Sequence, residues 1–232
     1  MKDTDSILHS IEQYQQLRFN KDKKFRKKLE ALQKWKTKRA LSCYDALMED
    51  KAQRNLLKYY FKDVFAGVDM SELKNAKRVL SIVDKFFTGT EMLTLGMQFN
   101  TATWTINERL SEVLFEEMER DEDEITTEAY VAACHRADIF SSLETQLDLF
   151  EAFVADLNET VNDSIIVASV KMATIPAKLA GFKTMHGLMA DGIACARGVD
   201  DARALALQII THERQVVDNI RENRDPVFFD IQ

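Results

Sequence analysis

The stretch Leu57–Gly67, LKYYFKDVFAG, combines helically spaced apolar side chains with a glycine stop. Together with the preceding Leu56, its apolar residues fall on two neighbouring helix faces: Leu56, Tyr60 and Val64 on one, and Leu57, Phe61 and Phe65 on the other. Aromatic residues at this spacing usually pack into a core, and Gly67 suits the left-handed conformation that often ends a helix. The stretch therefore predicts a widely buried helix. A ligand or partner site at its rim, with Tyr59 and Asp63, is the alternative.

The same spacing of three and four residues recurs along most of the chain. Only 2 prolines and 7 glycines occur in 232 residues, which favours long helices. No segment alternates apolar and polar residues over enough length to predict a strand. We therefore predict an all-α fold, a single bundle-like domain of about seven or eight helices with a long basic N-terminal helix.

The predicted helices divide the chain into three parts. We expect a basic N-terminal helical segment at residues 1–50, a helical bundle core at 51–222 and a C-terminal tail at 223–232. The apolar stripe of the first helix fades at residues 19–24, where a kink or break would fall. Further helices are predicted after a cap at Asp69 or Ser71, from Glu91 to Met118, from Thr126 or Thr127 to Val154, next to Pro176, and after a cap at Asp200.

Charge is distributed unevenly around a net value of −7. Residues 18–39 contain eleven Lys and Arg against two acids, whereas residues 112–128 contain nine acids against one Arg. The basic segment is a solvated helix face that attracts the acidic region, a docking surface for a partner protein, or a site for nucleic acid or an anionic membrane. Its candidate anion-binding residues are Lys23, Lys24, Arg26, Lys27 and Lys28.

Cysteine and histidine spacing predicts neither a disulfide framework nor a metal site. The three cysteines are isolated, which fits a reducing compartment, and no histidine belongs to an ExxH or HExxH motif. Glycine loops for phosphate and a nucleophile elbow are also missing from the sequence. The N-terminus carries charges where a signal peptide needs an apolar run. We therefore predict a cytoplasmic protein without a cofactor, a metal, a catalytic residue or a transmembrane segment.

A second candidate site lies in the most apolar part of the chain, around Pro176. Lys171, Lys183 and His186 accompany this helical pair, and Lys178 lies between them. A pocket between bundle helices with a few cations would take an acidic or amphipathic small molecule. A solvated helix face is the alternative reading of these residues.

The run from Tyr59 to Phe65, followed by Asp69-Met70-Ser71, resembles the FFLEELY motif and its trailing D-F-S in a family of uncharacterised bacterial helical proteins. Weaker similarity continues through YVAACHRADIFSSLETQLDLFEAF, IPAKLAGFKTMHGLMADGIACARG and THERQVV. The chain departs at Lys62, where the family usually has an acid, and at Glu213-Arg214, where the family tends to carry Arg-Glu. The resemblance implies an all-helical fold and a bacterial source, and it brings no activity.

Three hypotheses for function follow. The first is a non-enzymatic protein that acts through contacts with a protein partner or a second copy, using its basic and acidic regions as complementary surfaces. The second is a small-molecule-binding or enzymatic bundle with a pocket between the Tyr59–Phe65 helix and the helices around residues 171–186. The third is binding of nucleic acid or an anionic membrane by the basic segment. Enzymatic activity is left open, with the non-enzymatic reading preferred.

Overall fold

The computed structural model describes residues 2–73, 90–121, 125–179 and 183–231. This part of the chain contains eleven α-helices and no strand, which confirms the all-α prediction. The helices are α1 (Lys2–Gln16), α2 (Lys23–Ser42), α3 (Lys51–Tyr59), α4 (Thr90–Glu112), α5 (Thr127–Ala137), α6 (Phe140–Val154), α7 (Leu157–Asn162), α8 (Ser164–Met172), α9 (Thr174–Leu179), α10 (Lys183–Arg197) and α11 (Ala202–Glu222). Short 3-10 turns occupy Arg18–Asn20 and Asp45–Met48, and π-turns occupy Tyr60–Val64 and Val113–Glu117.

The predicted count of seven or eight helices is wrong because local breaks divide the predicted segments. Asp138 adopts a left-handed conformation, with φ of 50°, and separates α5 from α6, which the sequence joins in one helix. A further short helix, α7, follows directly after the predicted end of that helix at Val154. The last helix is capped by Asp201 rather than Asp200, since the Asp201 side chain accepts a hydrogen bond from the Ala204 N–H at 2.8 Å.

The predicted long basic N-terminal helix is also two helices. Asp22 forms the break because its Oδ1 accepts hydrogen bonds from the N–H groups of Lys24 and Phe25, each at 3.0 Å. This is the N-cap arrangement that starts a new helix. The break falls where the apolar stripe fades in the sequence. The helix predicted after Ser71 and the acidic run at 122–124 lie outside the described residues.

The quoted stretch ends α3 in a π-turn rather than a plain helical turn. The Phe65 N–H donates to the Tyr60 carbonyl at 2.7 Å, and the chain then stops at Gly67, whose φ is 98°, as the sequence predicts. A Cβ atom at Gly67 would lie 2.9 Å from the ring of Trp104. Trp104 in turn donates from Nε1 to the Val68 carbonyl at 2.9 Å and stacks on Phe19. This glycine therefore allows close packing of the helix end.

The helices pack around α4 and α6. Helix α4 contacts α1, α2 and α6, and α6 also packs against α11. Buried apolar side chains form three clusters, one of which joins α3, the π-turn, α6 and α11 through Leu57, Phe61, Phe150 and Ile210. The C-terminal residues lie against this core, since the Ile231 N–H donates to the Cys43 carbonyl at 2.9 Å. A cavity lies between four of these helices: α2, α5, α6 and α11.

Candidate functional site

A cavity of about 60 Å³ lies between α2, the π-turn after α3, and helices α5, α6 and α11. Its apolar lining includes Phe61, Phe65, Leu143, Leu147, Val216 and Ile220. Its polar lining consists of Lys36, Thr37, Arg39, Tyr130, Gln146 and Glu213. Charged side chains are rarely kept in such a place unless they are paired or used.

Arg39 and Glu213 form a buried ion pair at this cavity. Arg39 Nη1 lies 3.2 Å from Glu213 Oε1, and each side chain is 12% exposed. Burial by itself raises the pKa of Glu213, but the positive charge of Arg39, with a smaller contribution from His212, lowers that pKa to about 2. Burial by itself lowers the pKa of Arg39, but the negative charge of Glu213 has the larger opposite effect, so the Arg39 pKa is raised. Both groups therefore remain charged at neutral pH.

Tyr44 and His212 extend this ion pair towards the C-terminal residues. The Tyr44 hydroxyl lies 3.0 Å from His212 Nδ1 and 3.2 Å from Glu213 Oε1. His212 Nε2 lies 2.9 Å from the Phe229 carbonyl oxygen. Because a carbonyl oxygen can only accept, Nε2 carries a proton in this contact. The Tyr44 hydroxyl therefore gives Glu213 a second contact besides its pair with Arg39.

Lys36 brings a second positive charge to the cavity. Its Nζ donates to Asn107 Oδ1 at 2.8 Å, and no ion-pair partner for it lies in the described part of the chain. Burial, and to a smaller extent the neighbouring charge of Arg39, lower the pKa of the Lys36 ammonium from 10.5 to about 8, with Glu213 among the opposing influences. At neutral pH the lining thus carries two positive groups and one negative group.

Arg39 also has one nitrogen, Nε, without a hydrogen-bond partner among the described residues. Its two terminal nitrogens contact Glu213, whereas its buried Nε has no partner among the described residues. Gln146 is engaged on its amide side, since Nε2 donates to Thr103 Oγ1 at 2.6 Å. A buried N–H without a partner costs free energy that a bound acceptor would recover. The arrangement can therefore hold an anion, or a polar group that accepts hydrogen bonds.

The candidate residues near the quoted stretch lie on a different side of the π-turn. Tyr59 packs so closely on Gly192 of α10 that a Cβ atom there would overlap its hydroxyl. Burial raises the pKa of Tyr59, and the charge of Asp63 adds to this effect. Asp63 is exposed, and its pKa is raised by loss of hydration and by Asp191, against the effect of Lys62. The cavity is lined by Phe61 and Phe65 of the same stretch instead.

The residues around Pro176 are not brought to the cavity either. His186 is buried, and its Nε2 lies 2.7 Å from the Val170 carbonyl oxygen. Lys171 and Lys183 are exposed. Neither the cavity nor the groove lined by α1, α4 and α6 includes these residues, and the pocket between them and Tyr59 stays a prediction.

The basic segment lies on the acidic end of α4 within the same chain. Arg18 pairs with Glu116 at 2.7 Å, and Glu108 accepts from the Phe19 N–H at 3.2 Å. Arg26 lies over the Phe19 ring at 5.3 Å, and Lys28 lies over the Phe115 ring at 5.6 Å. The other candidate anion-binding residues, Lys23, Lys24 and Lys27, are exposed.

The described residues contain neither a cluster of metal-ligand side chains nor a membrane-spanning helix. Within residues 2–73, 90–121, 125–179 and 183–231, no three His, Cys, Asp or Glu residues come together as metal ligands would. None of the helices described there combines the length and the apolar character needed to cross a bilayer.

Sequence reasoning missed Lys36, Arg39 and Glu213, although a signal for them exists. Lys36 and Arg39 continue the spacing of three and four residues set by Leu29, Leu32 and Cys43, so they occupy the apolar stripe of α2. Glu213 likewise lies three residues after Ile210 and four before Val217. A charge at a stripe position must be buried, and burial makes it a functional candidate.

A comparison with protein families gives a match that spans the whole cavity. A family model described as "Domain of unknown function (DUF8198)" matches residues 13–226, which include every residue that lines the cavity. No curated protein and no solved structure matches the chain.

Proposed function

This chain belongs to the DUF8198 family, whose description assigns no activity. From the geometry of the chain, we propose that the protein binds a small anion in the cavity between α2, α6 and α11. Lys36 and Arg39 are the anion-binding groups, and Glu213 holds Arg39 in position. The observation that carries this proposal is the charge balance: two positive groups and one negative group line the cavity, and Lys36 has no carboxylate partner among the described residues.

The cost of keeping Lys36 charged supports a role in binding. Lowering a lysine pKa from 10.5 to about 8 corresponds to about 3 kcal/mol of lost stability at neutral pH. Ionisable groups whose pKa is shifted by burial and by a neighbouring charge are enriched at functional sites. An anion beside the ammonium would remove much of this penalty, so ligand binding and stability are coupled.

Thermal and urea unfolding of the full chain with added sodium salts test the proposal. Acetate, propionate, sulfate and phosphate are compared with gluconate, which is too large for the cavity, at a fixed ionic strength of about 0.1 M. An anion at 100 times its Kd should stabilise the protein by about 2.7 kcal/mol. The Lys36→Met variant should lose this effect, whereas Lys38→Met, an exposed position on the same helix, should keep it.

The pH dependence supplies an independent check. The ammonium form of Lys36 is lost as pH rises through about 8, so stabilisation by an anion should be larger at about pH 7 than at about pH 9.5. If none of the small anions stabilises the wild type more than gluconate does, the proposed function is wrong.

A second function, contact with another protein, is favoured by one surface. The face of α8 and α9 exposes three large apolar side chains, Ile165, Met172 and Ile175, by 68%, 63% and 71%. Such patches often mark interaction sites, and a second copy of the chain is the simplest partner. Light scattering over a concentration series should then show association that Met172→Glu abolishes. A strictly monomeric wild type at low and high salt would contradict self-association.

A further inference from the structure

The dimensions and lining of the cavity restrict which anion it can hold. At roughly 10–15 Å³ for each water-sized group, a cavity of about 60 Å³ has room for about four to six non-hydrogen atoms. Nucleotides, sugar phosphates and most amino acids are larger than this. The ligand is therefore a very small molecule, and the question is which chemical class of anion fits the donors and the walls.

The free donors favour a planar group with two acceptor oxygens. Both terminal nitrogens of Arg39 donate to Glu213, whereas the buried Nε is the guanidinium nitrogen that has no partner among the described residues. Lys36 uses one of its ammonium protons on Asn107 and has two left. One carboxylate oxygen on Arg39 Nε and the other on Lys36 Nζ would satisfy both groups with charge-assisted hydrogen bonds.

The walls disfavour an anion that carries oxygens on every side. Beyond Lys36 and Arg39, much of the lining is aliphatic or aromatic, with Leu143, Leu147 and Val216 among the residues. Sulfate or phosphate would turn some oxygens towards these side chains without hydrogen bonds, which is unfavourable. A ligand with one charged end and a small alkyl end matches both the hydrogen-bond donors and the apolar walls of the cavity.

We infer that the cavity binds a short-chain monocarboxylate of the size of acetate or propionate, with its carboxylate on Arg39 Nε and Lys36 Nζ and its alkyl group against Leu143, Leu147 and Val216. This inference rests on the proposed anion-binding function and adds the chemical class of the ligand. Glu213 is a positioning residue in this arrangement, because its contacts with both terminal nitrogens orient the guanidinium group whose Nε has no partner among the described residues.

Isothermal titration calorimetry on the full chain tests the class of ligand. Sodium propionate and acetate are the probes, and propionamide, sulfate and hexanoate control for charge, shape and length. Propionate should bind, propionamide and sulfate should bind at least about tenfold more weakly, and hexanoate should be excluded. Lys36→Met should weaken propionate binding roughly ten- to a hundredfold, whereas Lys38→Met should not change it.

A variant that shortens the cavity gives a readout independent of charge. Val216→Leu adds one methylene group to the wall and should weaken propionate binding more than acetate binding, with both cations retained. Tighter binding of sulfate or phosphate than of propionate would overturn the monocarboxylate inference and leave the anion function standing. If hexanoate bound as tightly as propionate, the inference that the cavity takes only a short-chain monocarboxylate would be wrong. Failure of every anion to bind would remove the inference together with the proposed function.

Discussion

Lys36 shows how one side chain can link stability to binding. Its ammonium lies in the cavity, donates to Asn107 and faces the positive charge of Arg39. The folded-state pKa of about 8 lies below the usual 10.5, so between these values the unfolded chain binds more protons than the folded one. Stability therefore rises with pH across this window, because the folded protein is relieved of a buried charge.

Replacing Lys36 by methionine should stabilise the protein at about pH 7, by up to about 3 kcal/mol, since the buried charge is removed and the volume is nearly kept. The gain should shrink as pH rises from about 8 to about 10.5, where the wild-type lysine is itself neutral. Urea unfolding at several pH values measures this difference. Lys38→Met serves as the exposed control, and a pH-independent gain would contradict the charge argument.

At the scale of the element, the end of α3 decides how the aromatic stretch is used. The π-turn at Tyr60–Val64 and the stop at Gly67 place Phe61 and Phe65 at the cavity and Tyr59 beside α10. Thr37 of α2 donates to the Phe61 carbonyl at 3.1 Å, which ties the turn to the helix that carries both cations. Inserted π-turns often occur at functional sites, and this one brings aromatic walls to the cavity.

Gly67→Ala should destabilise the protein by about 2–3 kcal/mol. The backbone at φ of 98° disfavours a side chain, and the new Cβ would lie 2.9 Å from the Trp104 ring. Gly187→Ala in α10 is the matched control, because its Cβ would meet nothing within 4 Å and alanine favours a helix. Thermal unfolding compares the two variants, and equal effects would show that neither strain nor Trp104 determines the cost.

At the scale of the whole molecule, the Arg39–Glu213 pair joins α2 to α11. The sequence predicts opposite charge blocks as its main electrostatic feature, but those blocks meet at the surface, where Arg18 and Glu116 are 40% and 45% exposed. The interior pair is 12% exposed on both sides and is screened far less by solvent. It therefore dominates the electrostatic contribution to how these two helices pack.

Glu213→Gln should destabilise the protein by about 3–5 kcal/mol, because it leaves the Arg39 charge buried without a counter-charge. Arg214→Gln, which removes exposed pairs with Asp148 and Glu151, should cost no more than about 1 kcal/mol. The folded-state pKa of Glu213, about 2, lies below the usual 4.5. Its contribution is therefore present above 4.5 and lost as pH falls from 4.5 to about 2. Acid unfolding of wild type and variant should converge in that window.

The sequence determined the local features of this protein. Helical spacing of apolar residues predicted an all-α fold, the fading stripe at residues 19–24 indicated the break before α2, and Gly67 marked the end of the aromatic stretch. These features depend on residues within a few positions of one another, which is why they can be read from the chain. Breaks such as Asp138 were missed because a single left-handed residue leaves the apolar spacing nearly intact.

Only the tertiary structure decided which charges meet. Lys36 and Arg39 are neighbours on α2 by their spacing, but the carboxylate that pairs with Arg39 comes from α11, 174 residues beyond it. Apolar periodicity indicates which face of a helix is buried. It does not indicate which other helix packs against that face. That choice depends on the packing of α2, α5, α6 and α11 together, so the cavity and its excess positive charge arise only when the whole bundle has formed.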